Sequence, residues 1–313
     1  MADTARIERR LKFNDLRVLL SVVEAGSMHK AAERLATSQP AISRAIADLE
    51  HALGVRLLDR TPSGVEPTAY GHALMKRGLA VFDELRQSVK DIEFLTDPTS
   101  GELRIGCSEY AAGGPVLAVI DRLTQKYPRM VFEVVTGPVL TLYRDLTERR
   151  VELVITRKAE FADRSDMVVE DLFDDDIVTV AAMRSPWSRR RRIELAELVN
   201  EPWTLPSPDT GIGAFAIAAF RARGLAPPRT TVITYSVHMR DKLLATGRFL
   251  TMLSTYTLIL PARHSSLKAL PIKLHNARGT IAITTLKNRT LSPIAELFIK
   301  TTREVVKPLV RTR

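Results

Sequence analysis

The chain has 313 residues, a single cysteine and a formal net charge of +10, which leaves room for two or three domains and excludes an intrachain disulfide or a cysteine-built zinc site. Charge alone does not specify a nucleic-acid partner, because residues 1–95 carry 14 Lys+Arg against 13 Asp+Glu and the remainder 32 against 23; the positions of individual arginines matter more. The opening residues lack an apolar stretch and no run reaches the roughly 18 apolar residues of a membrane span, so a cytoplasmic chain without a membrane partner is expected.

In chain order, Phe13-Asn14 reads as a hydrophobic staple and N-cap, with Phe13 reaching Val18, ahead of a helix in which Leu16, Leu19, Leu20 and Val23 share one face. Gly26 stops it. Ser27 caps a short second helix with a thin stripe of Ala31, Ala32 and Leu35, ending near Ala36. Ser38 caps a third, whose start is set by Pro40 in the first turn, whose buried stripe is Ile42, Ile46, Leu49 and Leu53, and whose end is Gly54. Gln39, Ser43, Arg44 and Ala47 point away from that stripe. A helix that presents its first polar side chains and free N–H groups together can enter a DNA major groove N-terminus first. Val55–Leu58 and Val65–Pro67 flank the turn signal Thr61-Pro62-Ser63-Gly64, the outline of a wing with Arg56 and Arg60 available to phosphates.

These residues carry a specific resemblance. The stretch GSMHKAAERLATSQPAISRAIADLEHALGVRLLDRTPSGVEPTAYG, within Phe13–Tyr70, closely resembles the winged helix-turn-helix of LysR-type transcriptional regulators. The resemblance implies double-stranded promoter DNA as partner, with Ser38, Gln39, Pro40, Ser43 and Arg44 at the DNA and Arg56 and Arg60 in or beside the wing. The expected DNA-binding domain is 1–67.

Thr68 to Leu95 reads as one long helix capped by Thr68, followed by a hinge at Thr96-Asp97-Pro98-Thr99-Ser100-Gly101, so that 68–100 forms a linker. Leu74, Gly78, Val81, Leu85, Ser88, Ile92 and Leu95 alternate in steps of four and three, the spacing of a coiled-coil seam. Gly78 and Ser88 are weak knobs. Val81, Leu85, Ile92 and Leu95 are the expected dimerisation residues; the seam predicts at least a dimer, and the family resemblance suggests a dimer of dimers, a homotetramer.

Beyond the hinge, strands alternate with helices: a strand at Leu103–Cys107, a helix from Pro115 to Lys126, a strand at Val131–Thr136, a helix from Val139 to Glu148 and a strand at Leu153–Thr156. That alternation predicts a parallel sheet covered on both faces. A second half begins near Val178, with a helix from Ala214 to Arg223, a strand at Thr231–Tyr235 and a helix opened by Ser236. The chain returns to the first half near Ile272, with a strand at Thr280–Thr285 and a helix from Ser292 to about Val306. The expected fold is α/β overall: a winged helix-turn-helix, a linker helix, and over 101–313 the two-lobed, periplasmic-binding-protein-like effector domain that the resemblance implies. Lobe I is expected at about 101–176 and 272–313, lobe II at about 177–271.

Ligands of open α/β sheets bind beyond the carboxyl ends of strands, at helix N-termini. Ser108, Thr136, Gly137, Thr156, Thr210 and Ser236 occupy such places and are the candidate effector residues, although any one hydroxyl serves equally as a helix cap. The segment EPWTLPSPDTGIGAFAIAAFRARGLAPP resembles LysR-type regulators that sense sugars or aromatic acids. Helix N-termini and hydroxyls suit a carboxylate or a polyol alike, and no arginine is assignable to the cleft. There is no dinucleotide or nucleotide motif, and the six histidines show no metal-ligand spacing, so no cofactor and no metal are expected. Cys107 reads as a buried small hydrophobe and Arg189-Arg190-Arg191-Arg192 as a solvated loop. An enzyme with Cys107 or Ser108 as nucleophile is a second class, disfavoured because neither a His with a carboxylate partner nor a G-x-S-x-G elbow occurs. A ligand-binding protein that uses its DNA-binding module only as an anchor is a third.

Overall fold

The computed structural model describes residues 11–61, 64–158, 165–259 and 266–311, with the side chains of 60, 310 and 311 outside the description. The chain divides into two compact units, Met1–Ser88 and Val89–Arg313.

The first unit begins with α1 (Phe13–Ala25), α2 (Met28–Arg34) and α3 (Gln39–Leu53), then the hairpin β1 (Leu58–Thr61) and β2 (Gly64–Pro67), and the start of α4 (Ala69–Thr96). Val18, Leu19, Val22, Ala31, Ala32, Ile42, Ile46, Leu49 and Leu57 close its core. Several expectations are corrected. Helix α1 starts at Phe13 after Lys12, so Asn14 lies inside it and accepts a hydrogen bond from Arg17 (2.9 Å). Phe13 meets the edge of Phe82, with ring centroids 6.4 Å apart, which a ring at the helix start reaches more readily than Val18. Ser27 precedes α2 in extended backbone but makes no side-chain cap bond. The first wing strand starts at Leu58, because the Glu50 carboxylate accepts from the N–H groups of Leu57 (2.7 Å) and Leu58 (3.2 Å). That contact fixes the bend after α3. Pro62 and Ser63 of the expected turn lie outside the described residues.

Helix α4 runs unbroken across the boundary between the units, with Thr68 accepting from Gly71 N–H (3.1 Å) as its cap. At its end Asp97 accepts from the N–H (3.1 Å) and hydroxyl (2.7 Å) of Thr99 and pairs with Arg129 (2.7 Å). The Thr99 hydrogen bonds hold its carboxyl below the usual range.

The second unit contains β3 (Ser100–Cys107), α5 (Leu117–Lys126), β4 (Arg129–Thr136), α6 (Val139–Thr147), β5 (Leu153–Arg157), β6 (Met167–Ala182), β7 (Trp203–Leu205), α7 (Gly211–Arg221), β8 (Thr230–Ile233), α8 (Val237–Ala245), β9 (Leu250–Ser254), β10 (Leu267–Ala269), β11 (Arg278–Leu286) and α9 (Pro293–Arg311). Among the described residues its nine strands run in the order β4-β3-β5-β11-β6-β9-β7-β8, with β10 also paired to β6. Strands β4, β3 and β5 are parallel, as are β8, β7 and β9. The sheet is nevertheless mixed, because β11 is antiparallel to both β5 and β6. Strand β6 joins the lobes: up to Asp176 it pairs with β11, and from Ile177 with β9. Lobe I buries Leu103, Ile105, Val119, Ile155, Ile283 and Phe298; lobe II buries Trp203, Phe220, Leu250 and Met252. Just before the helix expected from Pro115 the backbone is non-helical at Gly114 (φ −115°, ψ −110°); a short turn at Glu109–Ala111 and a wider turn through Pro115 lead into α5, which ends at Lys126 as expected.

Candidate functional site

The exposed face of α3 is built by its own cap. Ser38 is extended (φ −90°, ψ 148°) and its hydroxyl accepts from Ala41 N–H (3.3 Å), while Pro40 occupies the first turn and Gly54, at φ +70°, ends the helix in the left-handed conformation. With Ile42, Ile46 and Leu49 buried, Gln39, Pro40, Arg44, Ala47 and Asp48 are left facing solvent. Arg44 makes no ion pair among the described residues. Ser43 is less available, since it is half-buried and its hydroxyl donates to the Met28 sulfur (3.3 Å). Arg56 is exposed and close to Asp59 (3.7 Å). Arg60 has its backbone in β1, opposite Val65, but its side chain lies outside the described residues.

A second constellation forms where the lobes meet. Cys107 lies opposite both Thr136 and Ile155 in the sheet, so Ser108, just after β3, Thr136-Gly137, at the end of β4, and Thr156, near the end of β5, lie at the carboxyl ends of three adjacent parallel strands. Ser108 caps the short turn after β3 by accepting from Ala111 N–H (3.3 Å). Thr156 is buried and Thr136 exposed. In lobe II, Thr210 caps α7 by accepting from Gly213 N–H (3.2 Å) and donates to the Ser207 carbonyl (2.7 Å); Ser236 caps α8 by accepting from Met239 N–H (3.2 Å). Two hydrogen bonds join the lobes here. The Tyr235 hydroxyl donates to the Gly137 carbonyl, and Val237 N–H, at the start of α8, donates to the Glu109 carboxylate (2.8 Å). The structure thus gathers Ser108, Gly137 and Ser236 along one seam, whereas the Thr210 hydroxyl is bonded within lobe II.

Sequence reasoning missed Glu109, Tyr110, Tyr235 and Arg240 in this seam. The guanidinium of Arg240 lies over the Tyr110 ring at 5.1 Å. Burial pushes the hydroxyls of Tyr110 and Tyr235 up to about 12, an effect that Arg240 partly offsets and Glu109 reinforces. Both are neutral hydrogen-bond donors near pH 7. A seam of neutral hydroxyls, a helix N-terminus and one buried cation can hold a polar small molecule. Cys107 is fully buried, and desolvation raises its thiol to about 12, so it is no nucleophile at neutral pH. Among the described residues, no cluster of His, Cys, Asp and Glu could hold a metal ion, and no helix is long and apolar enough to cross a membrane.

Comparison with known proteins matches both parts of the chain. Residues 13–72 match the bacterial regulatory helix-turn-helix protein of the lysR family, and residues 96–307 match the LysR substrate binding domain. The chain belongs to the LysR family of transcriptional regulators. It is 26% identical over 298 residues to the regulator GbpR of Azospirillum brasilense, covering 95% of this chain and 87% of that one. It is 25% identical over 242 residues to TdcA of Escherichia coli strain K12, covering 77% of each. In fold it is similar to ArgP of Mycobacterium tuberculosis (TM-score 0.72, 20% identity, 97% of this chain and 100% of that chain). It is also similar to CbnR solved with its target DNA (TM-score 0.53, 20% identity, 95% and 100%). This LysR-type protein is therefore a DNA-binding transcriptional regulator with an effector-binding domain, and its family is one of regulators, not of enzymes.

Proposed function

We propose that this regulator acts in the cytoplasm on promoter DNA as a homo-oligomer, and that a small-molecule effector bound between lobes I and II sets its output. Gln39, Pro40 and Arg44 face the major groove, Ser38 orders their turn, Ser43 packs the helix on α2, and Arg56 and Arg60 belong to the wing. The observation that carries this reading is the exposed N-terminal half of α3, in which Gln39 and Arg44 face solvent, Arg44 with no ion pair among the described residues, while Ile42, Ile46 and Leu49 are buried. Ser108, Thr136, Gly137 and Ser236 line the effector site, with Thr156 beneath it and Thr210 at its lobe II rim. Val81, Leu85, Ile92 and Leu95 join two copies.

The test combines operator binding with reporter output. Arg44→Ala is expected to weaken specific DNA binding by about 1–3 kcal/mol in a folded protein and to remove regulation with it. Ser108→Ala is expected to blunt the response to effector. Unchanged operator affinity in the Arg44→Ala protein overturns the assignment of α3, and operator binding with no effect on transcription favours a DNA-binding module that serves only as an anchor.

A further inference from the structure

The seam between the lobes contains a cation whose surroundings are incomplete. Arg240 lies on α8, one turn beyond the Ser236 cap, and is only 3% exposed. One face of its guanidinium rests over the Tyr110 ring of lobe I, while Nε and Nη1 are buried without a hydrogen-bond partner. Arg157 of the same unit, by contrast, has its counter-charge, pairing with Asp175 at 2.8 Å. Glu109 and Asp241 are near enough to act on the Tyr110 hydroxyl; Glu109 is engaged with Val237 N–H, and among the described residues Arg240 donates no hydrogen bond from Nε or Nη1. A guanidinium stays ionised throughout the physiological range. Burying it without a counter-charge costs far more than the face of a tyrosine returns.

We propose that Arg240 anchors a carboxylate of the effector, which makes the effector an organic acid and not a neutral sugar. The inference rests on reading the interlobe seam as the effector site. A carboxylate supplies both the missing charge and the missing acceptors in one group, and the planar donors of arginine match its two oxygens. A neutral hydroxyl supplies an acceptor but leaves the charge uncompensated. The N-terminus of α8, with Ser236 and Val237 one turn away on the same helix, adds a field of the same sign. The Tyr110 ring gives the site an apolar floor, and the Ser108 and Tyr235 hydroxyls remain to select the rest of the molecule. Because Tyr110 belongs to lobe I and Arg240 to lobe II, an acid bound here touches both lobes beside the Glu109–Val237 bond. Effector binding and the relative arrangement of the lobes are thereby linked.

The full-length protein is tested by thermal unfolding in sodium formate, acetate or benzoate, against sodium chloride at equal ionic strength, with galactose as the neutral probe. Expected is a rise of about 2–4 °C with at least one carboxylate in the unaltered protein. The rise is lost in Arg240→Met and partly kept in Arg240→Lys, with far-UV circular dichroism confirming that both variants fold. Should Arg240→Met fold poorly, Arg240→Lys and Arg240→Gln carry the comparison. No rise with any carboxylate, or an equal rise without the arginine, overturns the proposal. If galactose stabilises the unaltered and Arg240→Met proteins alike and Ser108→Ala abolishes that effect, the seam remains the effector site and the acid class falls. If carboxylates stabilise every variant including Ser108→Ala, they bind elsewhere and the seam reading falls as well.

Discussion

Arg157 and Asp175 lie where the two lobes share β6, and they show what a completed buried charge requires in this protein. The Asp175 side chain is 2% exposed; Arg157 Nη2 donates to its Oδ2 (2.8 Å), Arg157 Nη1 to its backbone carbonyl (3.2 Å), and Tyr256 N–H to its Oδ1 (3.0 Å). Desolvation still wins over the arginine, and the carboxyl is held above its ordinary range. Removing one partner of such a pair typically costs about 3–5 kcal/mol. Arg157→Met is therefore expected to lower stability by that order in urea unfolding near pH 7, and Arg157→Met with Asp175→Asn to recover part of it. The sign with pH follows: a carboxyl raised in the folded state favours folding while protonated and loses that contribution as pH rises through the folded value. The deficit of the single variant should thus shrink toward acid pH. A single variant within about 1 kcal/mol of the parent, at every pH, would mean that water replaces the guanidinium and that the pair does not hold the shared strand.

At the scale of elements, the wing and α4 meet through Gly71, where an added Cβ would lie 2.2 Å from the Leu57 carbonyl oxygen and 3.2 Å from Pro67 Cβ. The contact is to backbone that the Glu50 carboxylate already pins, so it has little room to yield. Gly71→Ala is expected to cost about 1–3 kcal/mol and to weaken operator binding. Gly78→Ala, on the same helix, is the control. Its nearest neighbour is a Leu16 methyl at 3.8 Å, and alanine is the better helix former. Equal melting of the two variants would show that β1 and β2 shift freely against α4. These elements were legible because their signals are local: Ser38-Gln39-Pro40, Gly54, Thr68 and Ser236 each act on backbone within a turn. Strand β6 was not legible, since Asp174-Asp175-Asp176 reads as a solvated loop. The carboxylates of Asp174 and Asp175 are satisfied by Arg278 and Arg157, both distant in sequence, and the burial of the strand changes from alternating to continuous as it enters lobe II. Arg240 was hidden for a similar reason. A basic residue in the second turn of a helix reads as solvent-facing until Tyr110, from the other lobe, is laid against it.

For the whole molecule, the decisive surface is the one that a single chain leaves bare. Leu74 packs with the core of the first unit and Gly78 is buried near Leu16 and Leu20, so the first two positions of the expected seam are already occupied. From there onward the stripe is open: Val81 is 37% exposed, Leu85 49%, Val89 54%, Ile92 64% and Leu95 81%. Val89, absent from the four-three count, joins it, and Ser88 beside it is small. Five large apolar side chains along one helix face are costly to leave in water, at about 25 cal/mol for each Å² of apolar surface. A second copy presenting the same stripe would cover them in a self-complementary contact. Leu85→Glu places like charges opposite each other at the middle of that contact. It is expected to halve the molecular mass seen by light scattering, or reduce it further if the parent is a tetramer, and to shorten the stretch of DNA protected from nuclease. Because Leu85 lies outside every core of the single chain, far-UV circular dichroism should not change. Leu74→Glu should instead unfold the first unit. A Leu85→Glu protein with the parent mass and footprint would show that the stripe is not the contact between copies.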